Sequence, residues 1–189
     1  MTDTARRTPR VLARCAQAAL AAAAVADAFR AVAVRDDHLH PSAAALHWSG
    51  TLSMVFVYTM TLATVLFLVW LARSRSNAQE LSPEAALPSR GWTIGAWFVP
   101  VVNLFVPRRL VLDIGRASSA SWERQRGTTL VNLWWAAWVA HAVVLVVASR
   151  VAPGSMALLV LAETLMLAAA ALLGLVIERV TAAPPGRPS

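Results

Sequence analysis

Lysine is missing from this chain of 189 residues, so its formal charge of +7 rests on arginine, which supplies all 17 basic residues. Charged residues of any kind are scarce at 14%, against 58% apolar, a balance that excludes an ordinary soluble domain and points to a membrane protein. The arginines lie between apolar runs and do not gather on one polar face, which suits lipid headgroups and argues against nucleic acid. Cysteine occurs once, at Cys15, so no internal disulfide forms and the redox compartment is left open. Its simplest role is that of a small buried side chain. Also missing are a nucleophile elbow, a phosphate-cradling glycine loop and an H-E-x-x-H zinc pair, so no cofactor is expected and an enzyme has no support beyond scattered polar residues.

What the sequence has instead is apolar segments in membrane-sized pieces, which predict an all-α, multi-pass helical bundle. Residues 1–10 read as an irregular cytoplasmic tail. The first span, about 11–34, is alanine-rich and the least hydrophobic; a cleaved signal peptide is its rival reading, with a basic start and small residues at Ala24–Ala26. A polar connector from Arg35 to Ser42 leads to the second span, about 46–71. Trp48 and Trp70 lie ~33 Å apart along it at helical rise, so both indoles are expected at headgroup level. Spans at about 129–149 and 155–177 form a hairpin through Arg150–Gly154, and Ala170 with Gly174 gives the last helix a small-residue face. Residues 180–189 read as a second irregular tail.

Between the second and third spans lies RGWTIGAWFVPVVNLFVPRR, Arg90–Arg109, apolar and fenced by arginine. Residues 92–107 would make a helix of only ~24 Å, short of a ~30 Å hydrocarbon core. Pro100 divides that length further, because an interior proline removes a hydrogen bond and clashes with the preceding turn. The segment is therefore expected to be re-entrant, hinged near Val99 and Pro100. From Pro107 to about residue 120, Leu110, Val111, Ile114 and Ala117 recur opposite Arg108, Arg109, Asp113 and Arg116, which predicts an amphipathic interfacial helix.

Arginine placement orients the chain. If 92–107 is re-entrant, Arg6, Arg7, Arg10, Arg14, Arg73, Arg75, Arg90, Arg108, Arg109, Arg116, Arg124, Arg126, Arg179 and Arg187 lie inside and only Arg30, Arg35 and Arg150 outside, 14 against 3. If it crosses, the split is 8 against 9 and the bias vanishes. Four spans with both termini in the cytoplasm, in the inner (plasma) membrane, follow.

Trp70, Arg73 and Asn77, then Trp92, Trp97, Phe98, Pro100, Asn103 and Pro107, then Asp113 and Ser118, are similar to the pattern W-x2-R-x3-N, W-x4-W-F-x-P-x2-N-x3-P of the bacterial domain of unknown function 4328, over about Trp48–Arg179. The resemblance implies a multi-pass membrane protein and no known reaction. Glutamate is usual in that family where this chain has Asp113. The arginine-only, alanine-rich composition fits a high-GC actinobacterial source.

Several constellations carry competing readings. Trp70, Arg73 and Asn77 share one helical face, so Arg73 is expected to stack on Trp70 while Asn77 reaches the re-entrant backbone as a latch; the plainer reading is a snorkelling arginine beside an interfacial indole. The Asn103 amide would pair with carbonyls freed by Pro100, or line a cavity. Asp27, Arg30, His141 and Glu163 are expected at one depth, His141 and Glu163 each 11 residues from Ala152 in the hairpin turn, as interhelical hydrogen bonds or as a proton- or cation-responsive site. His38 and His40 are weak metal candidates, their H-x-H spacing being loose and unsupported. Three function classes result: a non-catalytic membrane scaffold that binds anionic headgroups, a second copy or a membrane partner; a small oligomeric channel or transporter; and a membrane-embedded enzyme.

Overall fold

The computed structural model describes residues 4–99, 102–119, 121–124, 126–152 and 154–182, with backbone alone for 4–9. All regular structure among the described residues is helical. Four long helices, α1 (Thr4–Leu39), α2 (Ala43–Leu81), α5 (Gly127–Val151) and α6 (Met156–Ala182), are each long and apolar enough to cross a membrane. Between α2 and α5 come α3 (Arg90–Gly95), a 3-10 turn at Val102–Leu104, and α4 (Val106–Ser118).

Each long helix extends past its expected span. α1 already includes Thr4–Arg10 and runs through Asp36, Asp37 and His38; α2 continues ten residues beyond Leu71; α6 continues through Ala182. Hydropathy marks only the part of a helix that lipid surrounds, whereas the backbone hydrogen-bond ladder continues wherever polar side chains can face water. The first connector therefore shrinks to His40–Ser42, where Pro41 interrupts the ladder and the Ser42 hydroxyl caps α2 by accepting from the Ala45 amide at 3.0 Å. Cys15, expected to be buried, is exposed on α1.

The spans alternate in direction. Asp37 accepts from the Ser49 hydroxyl at 3.3 Å and the Arg30 guanidinium lies 4.7 Å from the centre of the Phe56 ring, which sets α1 antiparallel to α2. Arg14 pairs with Glu178 at 2.9 Å and the Gln17 amide donates to the Gly174 carbonyl at 2.8 Å, which sets α1 antiparallel to α6. The main helix-on-helix packing thus runs α2, α1, α6, α5. At the opposite end Gly154, in the left-handed conformation, brings the second hairpin turn against His38 and Leu39 of the first. Small residues such as Ala13, Ala16, Ala23 and Ala63 fill the α1 seams, where their size allows close approach of the backbones.

α4 and its preceding turn bridge α2 to α5 at the end that carries the α2 extension. α4 has the predicted amphipathy but not the predicted partner: Leu110, Val111 and Ile114 are buried within the protein, while Arg109 and Arg116 are exposed. It is an interior-facing helix. The extended α2 offers Leu71 and Ala78 as an apolar surface, so protein covers the stripe assigned to lipid. The hinge expected at Pro100 lies outside the described residues, as do Arg187 and the tail from 183.

Candidate functional site

The functional candidates gather at the arginine-rich end, around aromatic rings from three elements. Phe67 of α2 lies 5.7 Å from Trp70 and meets Trp97 edge-on at 5.1 Å and 74°; Trp97 lies 6.5 Å from Trp134 of α5, which contacts Trp135 edge-on at 5.4 Å. Helical spacing builds this set, because Phe67 and Trp70 are three residues apart on one face of α2 and Thr93, Ala96 and Trp97 share the inward face of α3 and its turn. Among the described residues the buried Trp97 Nε1 has no hydrogen-bond partner.

Among the described residues the expected Trp70–Arg73–Asn77 latch does not form. Trp70 is fully buried, and its Nε1 donates to the Thr181 hydroxyl at 3.1 Å, while Arg73 and Asn77 are exposed. α2 continues past Trp70 and α6 closes over it, so the indole is an interior wedge and not a headgroup anchor. The clasp is supplied by neighbours that sequence reasoning passed over. Arg75 donates to the Pro88 carbonyl at 2.9 Å, Gln79 to Pro83 at 3.0 Å and Ala85 at 3.2 Å, and the Ser82 hydroxyl to Ala117 at 3.1 Å. The Arg75 and Gln79 bonds satisfy carbonyls of a connector with no ladder of its own, and the Ser82 bond ties that connector to the end of α4. The signal was present: Arg75 and Gln79 are four residues apart on α2, one turn before a Pro-containing loop.

The other motif residues scatter. Trp92 is exposed; Asn103 is half-buried and its backbone amide bonds Val99 at 2.8 Å; Pro107 is buried at the start of α4; Asp113 is half-buried; and the Ser118 hydroxyl returns to the Ile114 carbonyl at 2.7 Å. Trp122 was overlooked although two glycines frame it. Its ring is buried between Gly115 and Gly127, leaving no room for a Cβ at either, and among the described residues its Nε1 also has no partner. Beside it Glu123 accepts from Arg116 at 3.0 Å and from the Thr128 hydroxyl at 2.7 Å; the hydroxyl and then the guanidinium hold its carboxyl below the usual glutamate range. Arg108 donates to Asn132 at 2.9 Å, tying α4 to α5.

A second group lies inside the bundle. Asp27, 1% exposed, accepts from Arg30 Nε at 2.8 Å, and this pair is within electrostatic range of Glu163, whose buried Oε2 has no partner among the described residues. His141 is buried but does not join them through its ring: Nδ1 donates to the Ala162 carbonyl at 2.9 Å, one residue from Glu163. The Ala162 carbonyl, a ladder acceptor of α6 with a second lone pair, takes the imidazole because it lies directly across the α5–α6 seam. His38 and His40 are exposed, and among the described residues no three His, Cys, Asp or Glu side chains converge.

Four membrane-length apolar helices with a helical cap at one end define a multi-pass helical membrane protein. The family described as Domain of unknown function (DUF4328) matches residues 35–182, most of the chain, and the protein belongs to it. No curated protein and no solved structure matches.

Proposed function

We propose that this protein is a non-catalytic membrane scaffold whose arginine-rich end binds anionic lipid headgroups and seats a membrane partner or a second copy. The supporting observation is the one-sidedness of the charge. Among the described residues Arg73, Arg90, Arg109, Arg124 and Arg126 are all exposed at the end formed by the α1 start, the α2 extension, α4 and the α6 terminus. Each arginine near an anionic surface contributes about 1 kcal/mol, so five act together strongly. The same bias supports a cytoplasmic side for that end and for both termini, in a plasma membrane.

Reconstitution in nanodiscs holding equal phosphatidylcholine and phosphatidylglycerol, followed by native mass spectrometry, tests it. Phosphatidylglycerol should be retained preferentially, and the preference should fall in an Arg73→Gln, Arg109→Gln, Arg124→Gln variant. Equal retention of both lipids sinks the reading. Cysteines at Ser89 and Arg124, in a Cys15→Ala background, should be labelled only once the inner face is opened.

One observation favours a second reading, a small channel or transporter. With Asp27 and Arg30 mutually neutralised, the Glu163 oxygen, which has no partner among the described residues, is the group left to take up a cation within the bundle. Proteoliposome flux that depends on pH and disappears in Glu163→Gln supports it, and flux identical in the variant excludes it.

A further inference from the structure

The stretch between α2 and α4 presents an apolar outer surface that none of the four long helices accounts for. Trp92 is 45% exposed, Phe98 69%, Leu104 52% and Phe105 67%, with Ile94 and Val99 beside them. The inner face of the same stretch is also apolar: Thr93 and Ala96 are buried and Trp97 fills the gap between Phe67 of α2 and Trp134 of α5. A segment apolar on both faces has protein on one side and needs a nonaqueous medium on the other. α3, at six residues, is only ~9 Å long and cannot cross.

Depth follows from the neighbours. Trp70 meets Thr181 beside the Arg14–Glu178 ion pair, a level where charges face water, and Phe67, which carries Trp97, lies one turn further in, ~5 Å. The ends of the stretch stay on one side, since Ser82 before it bonds Ala117 after it. Exposed Arg90 and Arg109 stand at its two ends.

We propose that the outer face of Trp92–Val99 and of Leu104–Phe105 is inserted about one helical turn into a single leaflet, with Arg90 and Arg109 on that leaflet's anionic headgroups. The occupant of this surface is lipid acyl chain, and charge complementarity selects the leaflet. Such a wedge occupies area on one side only, so the protein couples to the lateral packing of that leaflet. The insertion stands on exposure and depth; only the headgroup charge rests on the anionic-lipid reading above.

Bimane attached to a cysteine at Phe98 or, separately, at Leu104, both exposed and in Cys15→Ala, reads the depth in reconstituted vesicles. Lipid carrying a nitroxide at acyl carbon 5 should quench about twofold more than lipid carrying it at carbon 12, as for burial ~5–10 Å deep, and aqueous iodide should quench little. Full iodide access with no lipid quenching at both positions overturns the proposal and assigns the surface to water or a protein. Stronger quenching from carbon 12 overturns it in favour of a deep or crossing segment. Shallow quenching in neutral vesicles, together with no retained phosphatidylglycerol, upholds insertion while removing the anionic-lipid reading; retained phosphatidylglycerol with iodide-accessible probes does the reverse.

Discussion

Alanine at Gly115 tests the cap most directly, because helix propensity and packing push in opposite directions. Gly115 is inside α4, where alanine favours the helix by about 1 kcal/mol over glycine. A Cβ there would lie 2.5 Å from the Trp122 ring, inside any real contact. The ring has no escape, since a Cβ at Gly127 on its other side would lie 2.3 Å away, so movement from one glycine drives it toward the other. Overpacking of a filled site costs about 1–3 kcal/mol, so Gly115→Ala should be destabilising by up to about 2 kcal/mol net of propensity. Trp122→Ala, which empties the cradle, should cost about 3–5 kcal/mol. In the double variant the clash is gone, so Gly115→Ala should become neutral or stabilising, a sign change that a double-mutant cycle isolates. Thermal unfolding in nanodiscs, followed by tryptophan fluorescence and by aggregation onset, supplies the readout. A Gly115→Ala effect that is the same with Trp122 present and in Trp122→Ala would refute the cradle.

Three further outcomes follow from the geometry. Trp70→Phe keeps the packing against Phe67 but loses the bond to Thr181, so it should cost about 1 kcal/mol and show no added loss in Thr181→Val; additive losses in thermal midpoint would mean that the bond is idle. Arg75→Ala frees the Pro88 carbonyl and should lower stability by about 1–2 kcal/mol while making residues 82–89 several times more sensitive to limited proteolysis; unchanged cleavage there would remove the clasp. Because the folded state lowers the Glu123 carboxyl below its usual value, its contribution is complete above the unfolded value, about 4.3, and is lost as pH falls through the folded one. The midpoint difference between parent and Glu123→Gln should therefore be largest near neutrality and close at acid pH, and a difference constant with pH contradicts it.

Within the candidate site, legibility depended on whether one helix or two decided a contact. The aromatic residues at 70, 92, 97 and 134 were all visible as aromatic, yet whether an indole faces lipid or interior is set by what packs across from it. Trp70 is inside because α6 reaches Thr181; Trp92 is outside because α3 is under two turns long and is covered only on its Thr93 side. Likewise Asp27 and Arg30, three residues apart on one helix, could be paired from spacing, whereas the His141 partner could not. A depth count along two helices reaches the right level but not the right atom, since rotation of each helix about its axis is invisible to it.

The all-helical architecture and four membrane-length segments were determined by the sequence itself, because an apolar run of some twenty residues must satisfy its backbone internally in lipid and only a helix does so. The resemblance to the DUF4328 family lay in the sequence's tryptophan and proline spacing, and the family matches residues 35–182. Helix ends were beyond its reach, since polar turns outside the hydrocarbon look like loop in composition while the ladder persists. Tertiary structure alone decided that the α4 stripe faces protein, that Trp122 needs two glycines and that Arg75 holds the connector. Each is a contact between segments distant in the chain, and the free energy of such a contact depends on shape and distance across a gap that no periodicity within one segment encodes.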